Sequence, residues 1–267
     1  MDKKVVLVTG ASSGIGKAAA KLFYEKGYVV YGTSRREAVE SSDGIAMLKL
    51  DVTDDASVQD CVQQVLQREG QIDVLVNNAG YGIAGAVEDT SAEEVKSQLE
   101  TNLVGLHRMC AAVLPVMRRQ GGGKIINISS VAGFIAIPYQ AFYSVSKYAV
   151  EGYSRALRNE VAQFGIRVTI VQPGDTKTGF TKGRVTASGS GKDSAYYERV
   201  CKSVARMERD EQNGASPESV AKVILRAAQA KNPPVAVVVG APYKLIRFAL
   251  RLMPERFVSF VLGKLYG

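Results

Sequence analysis

In "AFYSVSKYAV", residues 141–150, Tyr143 and Lys147 stand four positions apart. On a helix that spacing stacks two side chains on one face, so the phenol and the ammonium would share one space. The chemistry open to such a pair is proton transfer. A free tyrosine, with a pKa of about 10, is a poor base at neutral pH, and a neighbouring ammonium favours its phenolate and lowers that value. The spacing alone fits two readings, a solvated pair on a helix surface or the acid/base group of an active site and its helper.

A second stretch suits a different task. "TGASSGIG", residues 9–16, follows a β-branched run and opens a helical pattern. Gly10 permits the tight turn, Gly14 lets backbone approach a diphosphate, and Gly16 allows close packing of helix on sheet. Ser12, Ser13 and Ile15 fill out the loop, and the helix start offers free N–H groups and partial positive charge. The spacing is Gly-x-x-x-Gly-x-Gly rather than Gly-x-Gly-x-x-Gly, so a dinucleotide site is inferred from the loop's place after the first strand. The next strand ends in "GTSRRE", where an adenosine ribose would lie. Ser34, Arg35 and Arg36 stand there and the first carboxylate, Glu37, comes late. Basic residues accommodate the 2′-phosphate of NADP, whereas an acidic one would bind the 2′-hydroxyl of NAD. NADP is the expected cofactor, with a solvated charged turn as the plain alternative for Arg36.

The elements that must position these residues are readable. Near-continuous apolar runs at 4–9, 28–33, 45–50, 73–77, 124–129, 167–172 and 235–240 predict seven strands buried on both faces of a parallel sheet. Helical patterns at about 14–27, 54–69, 92–119, 141–164 and 216–231 lie between them. In "SPESV", Ser216 reads as an N-cap, Pro217 as the first helical residue and Glu218 as the acidic partner of a capping box. Alternating strands and helices predict a doubly wound, Rossmann-like α/β fold with ligands beyond the carboxyl ends of the strands. At 267 residues, one domain spanning 1–267 is expected.

With these residues in place the sequence resembles the short-chain dehydrogenase/reductase family, in its compact single-domain branch. The resemblance rests on "TGASSGIG", "LDVTD" at 50–54, "NNAG" at 77–80, "TN" at 101–102, "ISS" at 128–130, "YSVSK" at 143–147 and "PGDTKT" at 173–178, in that order. It implies that Tyr143 is the acid/base, that Lys147 supports it and holds the nicotinamide ribose, that Ser130 bonds the substrate oxygen, and that Asn102 keeps a proton path to the lysine. Ser129 would point to the opposite face of the strand. It further implies that Asp51 and Val52 meet the adenine and that Asn78, Ala79 and Gly80 line a strand end beneath the cofactor. Pro173, Gly174, Thr176 and Thr178 would then surround the nicotinamide. Asp175 and Thr176 replace an apolar pair common in the family, which puts that loop's details in question.

Composition narrows the rest. Apolar residues make up 46% and charged residues 22%, and 34 Lys and Arg against 26 Asp and Glu leave +8. No helix-turn-helix or aromatic-interleaved basic strand points to nucleic acid. The sole histidine, His107, and the scattered Cys61, Cys110 and Cys201 form no metal-binding pattern, and none is expected. The opening "MDKKVVLVTG" shows no secretory h-region, so a cytoplasmic location is expected.

Segment 179–213 reads as a mobile substrate lid. In the tail, 242–267, Lys244, Arg247 and Arg251 form a basic helix face opposite Leu245, Phe248, Ala249 and Leu252, and a second apolar stripe follows Pro254. Packing over the substrate site or at a subunit interface is the first reading, and peripheral membrane contact the alternative.

The sequence therefore predicts an NADP-preferring oxidoreductase interconverting a ketone or aldehyde and an alcohol, on a lipophilic substrate such as a hydroxysteroid or retinoid, and assembling as a homodimer or homotetramer. A 3-oxoacyl-type reductase, a non-catalytic dinucleotide sensor and a sugar-nucleotide epimerase are the competing readings.

Overall fold

The computed structural model describes residues 3–36 and 44–266. Its seven long strands are β1 (Val5–Val8), β2 (Val29–Ser34), β3 (Ala46–Lys49), β4 (Val74–Asn77), β6 (Gly123–Ile128), β7 (Ile166–Pro173) and β9 (Ala236–Val239). They form one parallel sheet in the order β3-β2-β1-β4-β6-β7-β9. All seven coincide with the predicted runs. A separate two-residue parallel ladder, β5 (Ile83–Ala84) with β8 (Val185–Thr186), was not foreseen.

Strand alternation divides the core. Val5 and Leu7 face one side with α2 (Asp55–Glu69), α4 (Gly105–Arg119) and α5 (Ala141–Val161). Val6 and Val8 face the other with α1 (Gly14–Glu25) and α8 (Pro217–Gln229). Both faces are covered, so β1 and β4 are buried along their whole length, a gain of roughly 1.5–3 kcal/mol per large aliphatic side chain. The strand order reverses between β1 and β4, and the crevice at that point opens beyond the carboxyl ends of the strands.

Two details depart from the sequence reading. The helix expected at 92–119 is α3 (Ala92–Leu99), a π-helical segment at Glu100–Val104, and α4. At the start of α8 the Ser216 hydroxyl caps Ser219, which holds the third helical position, so Glu218 sits one place too early for a capping box. The reciprocal box is instead at α3, where Ser91 caps Glu94 and the Glu94 carboxylate accepts from the Ser91 N–H at 2.8 Å. The chain completes itself with the short α6 (Phe180–Gly183), α7 (Tyr197–Gln212), α9 (Ala241–Ala249) and α10 (Glu255–Tyr266).

Candidate active site

The loop from β1 to α1 is built for close approach. Gly10 and Gly14 adopt φ of +65° and +53°, which side-chain-bearing residues rarely tolerate. A Cβ at Gly16 would sit 2.3 Å from the Gly10 carbonyl oxygen, so Gly16 lets α1 press against the loop rather than lining the groove itself. Ser13, the N-cap of α1, makes no side-chain cap hydrogen bond, and the N–H groups of the first turn keep their donors for an anion. "NNAG" ties β4 to this loop: the N–H groups of Asn78 and Ala79 donate to Thr9 Oγ1 at 2.9 and 3.0 Å, and Asn78 Nδ2 donates to the Thr9 and Gly10 carbonyls.

A groove of about 750 Å³ runs over the strand ends from this loop. Gly10, Ser12, Ser13, Gly14 and Ile15 form one bank, and Asn78, Ala79 and Gly80 the floor. At the far end are Ser34, Arg35, Arg36, Asp51 and Val52. Hydrogen bonds from the Thr53 N–H and hydroxyl hold the Asp51 carboxyl below its ordinary pKa. Arg35 and Arg36 are exposed at the groove edge, and Glu37 lies outside the described residues. Thr101, of the "TN" motif, also lines the groove, as do Tyr81 and Ser97, which carried no sequence signal. Glycine cradle, open helix start and elongated groove fit a dinucleotide.

A smaller cavity adjoins the groove through Ile15, Asn78, Gly80 and Thr178, which line both. Ser130, two residues past β6, and Tyr143 and Lys147, on α5, face into it with Pro173 at the end of β7 and Gly174 and Thr176 from the loop that follows. Ser130 stands beside the Tyr143 hydroxyl and acts to lower its pKa, while Ser130 Oγ accepts from the Ala132 N–H at 3.1 Å. Ser129, expected on the opposite face, lines the same cavity and is buried with its hydroxyl donating to the Lys147 carbonyl at 3.4 Å. Lys147 Nζ donates to the Ile128 carbonyl at 3.0 Å and lies 5.7 Å from the centre of the Tyr143 ring. Asn102 lines neither cavity. From the π segment its amide accepts from the Tyr81 N–H at 3.0 Å and donates to the Tyr81 carbonyl and to Ser146 Oγ. A Cβ on Gly80 would touch both Asn102 Oδ1 and Lys147 Nζ, which places the amide beside the lysine.

The electrostatics correct one expectation. Burial pushes the Tyr143 phenol up to about 12, and Ser130 only partly opposes this. Burial also pushes Lys147 down to about 8. Desolvation disfavours charge on each group, and it outweighs the lowering of Tyr143 expected from a neighbouring ammonium.

Two acidic residues of the cavity went unrecognised in the sequence. Glu211, from the end of α7, lies across from Tyr143, and Asp175, noted only as a departure from the family pattern, joins it. Burial raises both carboxyls. Asp175 is bonded by the Tyr243 hydroxyl from α9; Glu211 accepts from Thr181 Oγ1 at 2.5 Å and pairs with Arg184. Nothing in the local sequence of "RDEQNG" marks Glu211, because more than thirty residues separate it from the last motif of the family resemblance, which ends at Thr178.

Comparison with known proteins extends this geometry. A family model described as short chain dehydrogenase matches residues 4–188. A 3-ketodihydrosphingosine reductase of Bacteroides thetaiotaomicron is 44% identical over 269 residues, covering 100% of this chain and 99% of that protein. A short-chain dehydrogenase from Streptomyces avermitilis superposes with a TM-score of 0.82 at 32% identity, over 98% of each chain. ElxO, solved with NADP bound, superposes at 0.74 with 30% identity over 90% of this chain and 98% of its own. A Burkholderia phymatum protein solved with NAD shares the fold at 0.80 and 22% identity, over 94% and 95% of the two chains. Both dinucleotides thus occur on this architecture. The chain belongs to the short-chain dehydrogenase/reductase family, as an NAD(P)-dependent oxidoreductase acting on CH–OH groups.

Proposed function

We propose that this chain is an NADP-preferring reductase that converts the ketone of a lipophilic, amine-bearing substrate into a secondary alcohol. One observation carries the reading: Ser130, Tyr143 and Lys147 share their cavity with the carboxyl groups of Asp175 and Glu211. Among the described residues Arg184 is the one cation paired with these two carboxyls, on Glu211, and a neutral steroid or retinoid carbonyl would bring no second positive charge to them. An ammonium on the carbon beside the ketone offers a charge partner that relieves the desolvation of a carboxylate. Similarity to a 3-ketodihydrosphingosine reductase supports this, since that compound carries an amino group next to its ketone.

The residues divide the work as follows. The Ser130 hydroxyl donates to the carbonyl oxygen and fixes its position. Tyr143, held protonated at neutral pH by burial, delivers its proton to that oxygen. Lys147, anchored on the Ile128 carbonyl, sets positive charge beside the phenol, and Asn102 secures the Tyr81 backbone behind it. A bound NADPH would supply the hydride, held by the glycine loop, Asp51, Asn78 and Thr178. Arg35 and Arg36 at the adenosine end favour the 2′-phosphate.

Turnover of NADPH and NADH with a medium-chain 2-amino-3-ketone, and with the same ketone lacking the amine, tests the reading. Tyr143→Phe should lower kcat about 10²- to 10⁴-fold. Asp175→Asn with Glu211→Gln should raise KM for the amino ketone about tenfold or more and leave the plain ketone unchanged. Equal handling of both ketones by the parent protein would remove the amine from the proposal, and a preference for NADH would remove NADP.

A further inference from the structure

We propose that the outward face of α9 and α10 docks on the surface of an anionic lipid bilayer, with both helices lying in the plane of the interface. The observation behind this is an inverted amphipathic helix. A helix on a globular domain ordinarily turns its apolar stripe inward. In α9 the inward residues are Tyr243, bonded to Asp175, and Arg247, which donates to the Gln172 side chain and stacks 4.9 Å from the Phe134 ring centre. The apolar stripe Leu245, Phe248 and Leu252 faces away from the protein, at 69%, 61% and 73% exposure. The basic face read from the sequence is therefore split. Arg247 is an internal anchor, and Lys244 and Arg251 remain outside beside the apolar stripe.

α10 repeats the arrangement. Phe257 and Phe260 are 51% and 62% exposed, flanked by Arg256 and Lys264, and Met253 bridges the two helices at 42%. Neither helix contributes a buried residue to the core. Eight of the fifteen large apolar side chains exposed among the described residues fall between 245 and 265. Such concentration on one surface marks an interaction site.

Charge selects the occupant. Residues 242–267 carry Lys244, Arg247, Arg251, Arg256 and Lys264 against Glu255 alone, which is +4 of the chain's +8. A second copy of the chain related by a two-fold axis would bring this cationic face against itself, where like charges repel. An anionic bilayer accepts the apolar side chains at its acyl boundary and attracts the basic rim with its headgroups. No helix among the described residues is long and apolar enough to cross a membrane, so the contact is with one leaflet. The face is coupled to the chemistry, because Tyr243 on α9 holds Asp175 in the wall of the substrate cavity.

Co-sedimentation of the full-length protein with phosphatidylcholine vesicles, and with vesicles containing phosphatidylglycerol, tests the proposal without any substrate. Binding to the anionic vesicles, weakened by added salt, is expected. The substitutions Phe248→Glu with Leu252→Glu, and separately Phe257→Glu with Phe260→Glu, should each weaken it about tenfold or more. Lys244→Glu with Arg251→Glu should act likewise while keeping the apolar stripe. All three variants should reduce a short, water-soluble ketone at the parent rate, which shows that they fold and separates this test from that of the proposed reaction. Failure to bind either vesicle would overturn the proposal. Self-association in light scattering that the same substitutions abolish would overturn it in favour of a second copy.

Discussion

Burial acts in opposite directions on Tyr143 and Lys147, and a rate–pH profile should show it. Ketone reduction needs the phenol protonated and the lysine charged. With Tyr143 near 12 and Lys147 near 8, both conditions hold below about 8. As pH rises through that value the lysine loses its proton first, so kcat/KM for reduction should fall above about 8, well below the ordinary lysine range. Lys147→Met should remove the falling limb and leave a low, flat rate; a parent profile that stays level up to the ordinary lysine pKa would contradict the assignment. The identities and spacing of these residues were readable in "YSVSK" because a helix fixes which positions share a face. The direction of the Tyr143 shift was not, since it depends on how completely α5, β6 and the loop after β7 exclude water. Glu211 escaped for a related reason: only folding brings the end of α7 to the cavity.

Elements differ in how much of themselves they announce. The seven strands of the main sheet stand out as apolar runs because both faces are covered, and the helices that cover them follow from period and spacing. The π segment at Glu100–Val104 does not stand out, for "ETNLV" continues the helical pattern on either side. It matters nonetheless. The wide turn sets Asn102, 2% exposed, where its amide meets both backbone groups of Tyr81. Asn102→Ala would strand the Tyr81 N–H, a loss normally costing about 1–3 kcal/mol, while the Tyr81 carbonyl keeps its bond from Gln98 Nε2. Urea denaturation should show a loss of that order together with reduced kcat. A variant as stable as the parent would mean that water replaces the amide without penalty. The capping box shows the same limit: one residue of offset moved it from Ser216 to Ser91, and the sequence carries serine and glutamate at both places.

At the scale of the molecule, what could be read was everything repeated along the chain, and what could not was everything fixed by a single contact. A doubly wound parallel sheet follows from the alternation of strands and helices, and the observed strand order puts its crevice between β1 and β4. The orientation of α9 depends on where Arg247 finds a partner, and its i, i+3, i+7 pattern is compatible with either face inward. The ladder of Ile83–Ala84 with Val185–Thr186 likewise has no periodicity to reveal it. Yet this ladder clasps segment 179–194 on its site side, through hydrogen bonds from the Val185 N–H to Gly82 and from the Ala187 N–H to Ala84, while Ser188, Ser190 and Ser194 tie the same segment to Glu94 and Asp89 further out. A clasp so short opens at little cost, whereas the central strands open only as the whole domain unfolds. Hydrogen–deuterium exchange should therefore release the Val185 and Ala187 amides long before those of β4 or β6. If that opening admits substrate and frees product, turnover will slow as solvent viscosity rises, and the enzyme's tempo will be set by a backbone clasp that takes no part in the proton transfer.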